Sequence, residues 1–295
     1  MQGLIEFTQM IISGVATGCI YAIVALGFVL IYKASEIVNF AQGDLMMLGA
    51  FLGFSFITLL GMPFYLGLGL ALVCMALIGA LLDRVVLRPM AGQPVFAIVI
   101  ITIGIGFVIR SIVISIPGWG TETYGIDTPY SGGVTSLGGL VISNEHLAII
   151  AATLLLVIVL YLFFRFTMLG VAMQATSQNQ LAAYYVGVPV KSILSMIWAI
   201  SAATAALVGI LLAPITFVHV NMGFIGLKAF PAAVIGGFGS LPGAIVGGLI
   251  IGVVEALAGF YLPEGFKDVA AYVLMLVVLA IRPKGLFAQS DAKKV

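Results

Sequence analysis

Charge is scarce in this 295-residue chain: Asp, Glu, Lys and Arg together make up 8% of it, against 62% hydrophobic residues. A soluble domain of this length needs far more polar surface, so a water-soluble fold is excluded. Histidine and cysteine occur twice each, with no spacing that would build a metal centre. Cys19 and Cys74 lie inside apolar stretches and read as small core residues, not a disulfide pair. His146 and His219 fall near span ends, where histidine is usually interfacial. There is no GxxxxGK[ST] phosphate loop, no HExxH and no GxSxG elbow, so the chain has no means of hydrolysing ATP by itself. A net charge of +1 gives no bulk attraction for nucleic acid. No basic segment precedes the first apolar run, which is too long for a cleaved signal peptide and is read as retained.

What is present is a series of apolar runs, several long enough for a hydrocarbon core of about 30 Å, which takes roughly 20 helical residues. Lipid cannot satisfy exposed backbone groups, and the runs do not alternate as barrel strands do, so they are read as helices. The expected fold is all-α: one polytopic transmembrane helical bundle over residues 1–295 with eight or nine crossings. The runs are 8–32, 45–60, 64–86, 95–116, 147–164, 193–214, 224–238, 244–262 and 269–281. The seventh is short and broken by Gly236, Gly237, Gly239 and Pro242, the pattern of a re-entrant or broken helix that exposes backbone near a cavity. Lys33, Arg84, Arg88, Arg165, Lys191 and the C-terminal cluster Arg282, Lys284, Lys293 and Lys294 mark the cytoplasmic side. The loop at 117–146, acidic and without Lys or Arg, is then periplasmic, the N-terminus outside and the C-terminus inside; Lys228 and Lys267 are mild exceptions. The two halves also share an order, a span followed by a polar break and a Gly-punctuated run, which suggests an inverted repeat.

Three polar features stand out. Residues 166–192 form the one long polar, helix-prone interval of the second half, read as a short amphiphilic helix stopped by Gly187 and Pro189. Placed in the cytoplasm, such a helix is a docking surface for a motor protein. Arg110 and Glu255 are charges inside apolar runs, each roughly 20–25 Å from the cytoplasmic side at 1.5 Å per residue. Equal depth predicts an ion pair, acting either as a structural tie between two helices or as an outer gate. Asn39, Gln42 and Asp44 either cap the following helix or line the pathway. The Gly-x-x-x-Gly pairs at Gly14/Gly18, Gly49/Gly53, Gly243/Gly247 and Gly248/Gly252 predict close helix packing within the bundle or at a dimer interface.

The strings VNFAQGDLMMLGAF (38–51) and GLKAFPAAVIGGFGSLPGAIVGGLIIGVVEAL (226–257), with FKD (266–268) and RPKGLF (282–287), resemble the permease subunits of branched-chain amino-acid ABC importers of the LivH type, over nearly the whole chain. The resemblance implies a multi-pass permease of the bacterial inner membrane. It would be paired with a second, homologous permease and two cytosolic ATP-binding subunits, and supplied by a periplasmic amino-acid-binding protein; lipid surrounds it, and no cofactor is implied. The family's coupling motif, EAA then three residues then Gly, maps onto Leu181, Ala182, Ala183 and Gly187, beside Gln180, with Leu181 in place of the acid. Asn39, Gln42 and the Gly236–Gly237–Gly239 break are the pathway candidates. Urea, short amides and other neutral amino acids use similar permeases. An ion-coupled carrier needs a titratable or cation-binding cluster at the midplane, and a membrane enzyme needs a nucleophile–base set; the sequence offers little for the first beyond Arg110 and Glu255, and nothing for the second.

Overall fold

The computed structural model describes residues 2–137, 140–263 and 265–287; Lys293 and Lys294 of the basic C-terminal cluster lie outside the described residues. Each of the nine apolar runs is a helix. They are α1 (Gln2–Ser35), α2 (Gln42–Phe54, prolonged by a π turn, Ser55–Leu59), α3 (Phe64–Leu82, followed by a π turn, Asp83–Leu87), α4 (Val95–Ser115), α5 (Asn144–Phe166), α8 (Val190–Thr216), α9 (Gly223–Gly236), α10 (Leu241–Tyr261) and α11 (Phe266–Ile281). Two short helices, α6 (Met168–Gln178) and α7 (Gln180–Tyr185), join α5 to α8, and a β1–β2 hairpin (Val134–Leu137 with Leu140–Ser143) precedes α5. Seven of the helical segments among the described residues are long and apolar enough to cross a membrane; Val220–Gly236 is shorter, and α11 has 16 residues.

Local chemistry sets the helix ends. Pro63 and Pro94 hold extended backbone just before α3 and α4. The side chains of Ser143, Thr167, Asn179 and Ser240 accept hydrogen bonds from the first turns of α5, α6, α7 and α10.

α1, α2 and α8 are the inner helices, largely buried, while α3, α4 and α5 show most of their surface to the surroundings. The packing is reciprocal. α1, first in its half, lies along α10, third in the other half; α8 lies along α3 in the same manner, and α2 meets α9. This is the packing order that two units inserted from opposite sides would have. Small residues make it close: a Cβ added to Gly252 would stand 2.2 Å from Gly18 N, and one on Gly79 2.4 Å from Trp198 O. The Gly14, Gly18, Gly248 and Gly252 spacing is therefore spent inside the bundle, on the α1–α10 seam.

The bundle has two distinct ends. At one, Gln180 Nε2 donates to Ala34 O at the end of α1 (2.6 Å), and Arg88 Nη2 donates to Ser195 Oγ (2.8 Å) and Lys191 O (3.0 Å). At the other, Trp119 Nε1 donates to Ser55 Oγ (2.6 Å) and Tyr124 bridges to Val218. The segment at 166–192 and the loop after α4 thus sit at opposite ends, with the Lys33, Arg88 and Lys191 positions at the first.

At Gly236 and Gly237 the run after α9 departs from its reading as an exposed break, whereas Gly239 is half-buried with open space beside it. Gly237, at φ +93°, ends α9, and Ser240 caps α10 directly afterwards. The C-terminal tail closes over this turn: Leu286 N and Phe287 N donate to Ile235 O (2.8 Å) and Gly236 O (3.2 Å). Gly236 packs on Gly243 and Gly237 on Gly285, both buried. Non-helical backbone enters the interior elsewhere. Residues 36–41 enter the bundle without helix before α2, and a single 3₁₀ turn, Val220–Met222, precedes α9.

Candidate functional site

The starts of α2 and α9 meet in the interior, where a Cβ on Gly43 would stand 2.1 Å from Gly223 O. Only glycine permits two backbones to approach this closely. Around the contact lie two polar groups. In the first, Asn39 Oδ1 accepts from Ala41 N (3.1 Å), a side-chain turn just ahead of α2, while Asn39 Nδ2 donates to Gln42 Oε1 (3.3 Å). Gln42 Nε2 donates to Ser201 O (3.3 Å), and Ser201 Oγ lies 3.0 Å from Gly27 O and 3.1 Å from Gln42 Oε1. Asn39, Gln42 and Ser201 are completely buried. They tie α1, α2 and α8 together, and a pathway role for Asn39 and Gln42 requires this knot to open.

The second group is an ion pair. Arg110 Nη2 donates to Asp44 Oδ1 at 2.8 Å, with the two side chains 20% and 14% exposed. The guanidinium lies 4.6 Å from the Phe224 ring centroid, and Arg110 Nε is buried with no hydrogen-bond acceptor among the described residues. Asp44 is in the first turn of α2, where a carboxylate is favoured, and its other oxygen faces Gly106.

Arg110 and Glu255 are therefore not partners, which corrects the expectation from their depth. Glu255, 3% exposed, accepts from Tyr21 Oη and lies 3.6 Å from Lys228 Nζ, which also reaches Asp268 at 2.5 Å. The physical reason is lateral. α4 packs on α2, whereas α10 packs on α1, α9 and α11, so equal depth does not bring the two charges together. Lys228, an exception to the charge bias, is explained by these two carboxylates. Replacing Lys228 with Met should leave Glu255 buried without a cation and destabilise the protein by about 3 kcal/mol or more. Tyr21→Phe, which removes one hydrogen bond to a charged group, should cost about 1–3 kcal/mol. Thermal unfolding of the two variants in detergent measures the order, and equal midpoints would contradict it.

At the end carrying Lys33 and Lys191, residues 166–192 form two helices where the sequence pattern predicted one. Asn179 breaks them with extended backbone (φ −159°, ψ 105°), and its side chain accepts from Ala182 N to start α7. α7 ends in a Schellman arrangement: Val188 N donates to Ala183 O and Gly187 N to Tyr184 O, both at 3.0 Å, with Gly187 at φ +88°. Gln180 anchors α7 to α1, and Ala183 is buried beneath it. Leu181, Ala182 and Tyr184 are exposed, as are Tyr185 at 82% and Val186 at 79%. Leu181, Tyr184, Tyr185 and Val186 thus form an exposed apolar patch on a short, anchored helix at one end of the bundle.

Sequence reasoning did not find Asp44 as the partner of Arg110, nor Tyr21, Ser201, Phe224 and Asp268. Asp44 was read only as a cap or pathway residue, although an acid between apolar runs needs a cation.

Discontinuous helices meeting in the core of two interlocked halves, with an anchored helix projecting at one end, are features of the multi-pass membrane transport proteins. The fold is shared with a solved structure, "PsaBC from Streptococcus pneumoniae in complex with Fab", at a TM-score of 0.52 and 16% identity, covering 92% of this chain and 91% of that one. Residues 10–279 match the family described as "Branched-chain amino acid transport system / permease component", and the chain belongs to that family. It is 30% identical to the high-affinity branched-chain amino acid transport system permease protein LivH of Escherichia coli K12, covering 98% of both chains. Identity to the corresponding BraD protein of Pseudomonas aeruginosa is 31% over the full length of both. A probable LivH of Methanocaldococcus jannaschii is 27% identical over 90% of this chain and 87% of its own.

Proposed function

We propose that this chain is the permease subunit of an ATP-driven importer that carries branched-chain amino acids across the bacterial inner membrane. The observation that carries the reading is end-to-end similarity to permeases named for that transport. The chain forms half of the channel with a second, homologous permease. Two cytosolic ATP-binding subunits supply the work, and a periplasmic binding protein delivers the substrate. The end bearing Lys33, Arg88, Lys191 and α7 faces the cytoplasm, the loop after α4 faces the periplasm, and the C-terminus lies inside, in keeping with the Lys/Arg bias.

α7 is the handle in this reading. The exposed Leu181, Tyr184, Tyr185 and Val186 seat in an ATPase, and the Gln180 bond to Ala34 passes the movement to α1. α1 in turn bears on the Gln42–Ser201 knot through Gly27 and on α10 through Gly14 and Gly18. Closure of the ATPases on ATP therefore shifts the helices that hold the meeting point of α2 and α9.

Two measurements test this. Uptake of labelled leucine by the reconstituted complex should require ATP and fall with excess isoleucine or valine; uptake driven by a proton gradient alone, or competed only by urea or short amides, rejects the assignment. Gly187→Val forces a branched residue to φ +88°, where L residues are strained by about 1–2 kcal/mol. That variant should reach the membrane normally yet lose most ATPase co-purification and uptake, whereas Gly187→Asn, tolerant of positive φ, should keep most of both. Full ATPase retention by Gly187→Val would count against the handle.

A further inference from the structure

Where α3 ends and α8 begins, at the same end as α7, the bundle holds a cleft of about 450 Å³ lined by Leu77, Ala80, Leu81, Arg84, Arg88, Ser192 and Ser195. We propose that this cleft binds the headgroup of an anionic phospholipid.

The charge is unbalanced toward positive. Asp83 is buried and already engaged, accepting from Arg88 Nη2 at 3.3 Å and from Ser195 Oγ at 2.5 Å. Arg88 is fixed by that carboxylate, by Lys191 O and by Ser195. Arg84, four residues earlier on the same rim, is exposed and makes no ion pair or hydrogen bond among the described residues, and Ser192 adds a free-standing hydroxyl. Arg84 and Arg88 thus line the cleft beside one acid, which Arg88 already neutralises, so the charge of Arg84 is left over. A phosphate has the charge and the acceptor oxygens for Arg84 and Ser192.

The floor selects a lipid over a soluble anion or a protein. Leu77 and Leu81 are exposed, and the stripe continues up α3 through Val73, Leu70 and Leu66, a track that runs along a membrane-crossing helix. A headgroup seated on Arg84 would lay its acyl chains along those side chains. Basic pockets between transmembrane helices at the cytoplasmic side, the side this end takes in the proposed orientation, bind anionic headgroups for this reason. A soluble partner can reach the arginines but not the stripe.

The test is lipid retention by the full chain purified in mild detergent, read by native mass spectrometry after exchange with phosphatidylglycerol or phosphatidylcholine. Phosphatidylglycerol should be kept about fivefold better, the worth of one cation at a membrane surface. Arg84→Gln should remove about that factor, Arg84→Lys should retain most of it, and Leu81→Asn should weaken retention of both lipids. Equal retention of the two lipids, or an Arg84→Gln protein that keeps the preference, overturns the proposal. So does displacement of phosphatidylglycerol by millimolar inorganic phosphate, which would assign the cleft to the free anion. Loss of ATPase co-purification by Arg84→Gln with lipid retention unchanged would reassign it to a protein contact.

Discussion

Neutralising either Asp44 or Arg110 alone should destabilise the protein by about 3 kcal/mol and abolish transport, while neutralising both should restore much of the stability. Removing one member of a buried pair strands the other's charge, at about 3–5 kcal/mol, and the small residual exposure here places the effect at the lower end. Arg110 is the more exposed to this loss, because its Nε already has no acceptor and Phe224 alone cannot replace a carboxylate. In Asp44→Asn/Arg110→Met no charge is left unmatched. Reversing the pair should rescue less. Gly106 and Gly223 form a cradle around the Asp44 carboxylate, where an added Cβ would stand 2.3 Å and 2.7 Å from its oxygens, and an arginine at position 44 does not fit it. Unfolding midpoints and leucine uptake of the singles, the double and the reversal would decide the matter. Single variants as stable as the wild type would mean the pair is not what joins α2 to α4.

The second large effect is expected from one methyl group. Gly43→Ala places a Cβ 2.1 Å from the Gly223 carbonyl oxygen and 3.3 Å from Gly226 Cα. Both neighbours are backbone, so no side chain can swing aside, and α2 and α9 must separate. Overpacking costs about 1–3 kcal/mol and sometimes more where the neighbours are rigid. We expect the upper end, with uptake reduced at least tenfold as an order-of-magnitude figure. Gly252→Ala should be comparable, since it meets Gly18 N at 2.2 Å on the α1–α10 seam. Gly104→Ala and Gly69→Ala are the controls. Nothing lies within 4 Å of either position, and such substitutions stay within about 0.5 kcal/mol. If Gly43→Ala behaves like Gly104→Ala, the two helix starts are not in contact in the working protein.

How much of this was legible beforehand differs from feature to feature. The end of α7 was readable because Gly187 and Pro189 are local stop signals, but the break at Asn179 was not. Asn tolerates both helix and cap, and only its side-chain bond to Ala182 N commits it to the cap. The glycines at 236–239 announced an interruption but not its kind. Whether such a run exposes backbone or forms a closed turn depends on whether another segment covers it, and the covering segment, Leu286–Phe287, is about fifty residues away in the chain. Asn39 illustrates the intermediate case: capping and pathway were both open, and its bond to Ala41 N makes a turn ahead of α2, whose cap position is Ala41 and carries no side-chain bond.

The amino-acid order alone determined that the chain lies in lipid, where its helices run and which end of the bundle carries the basic loops. These follow from run length, composition and residues near in sequence, and lipid leaves runs that do not alternate as barrel strands no form but the helix. Tertiary structure alone decided who pairs with whom. A charge's depth is counted along its own helix, but its partner is set by the helix packed beside it and by the direction the side chain takes around that helix. Arg110 went to Asp44, and Glu255 to Tyr21 and Lys228, because interlocking the two halves put α4 against α2 and α10 against α1 and α9.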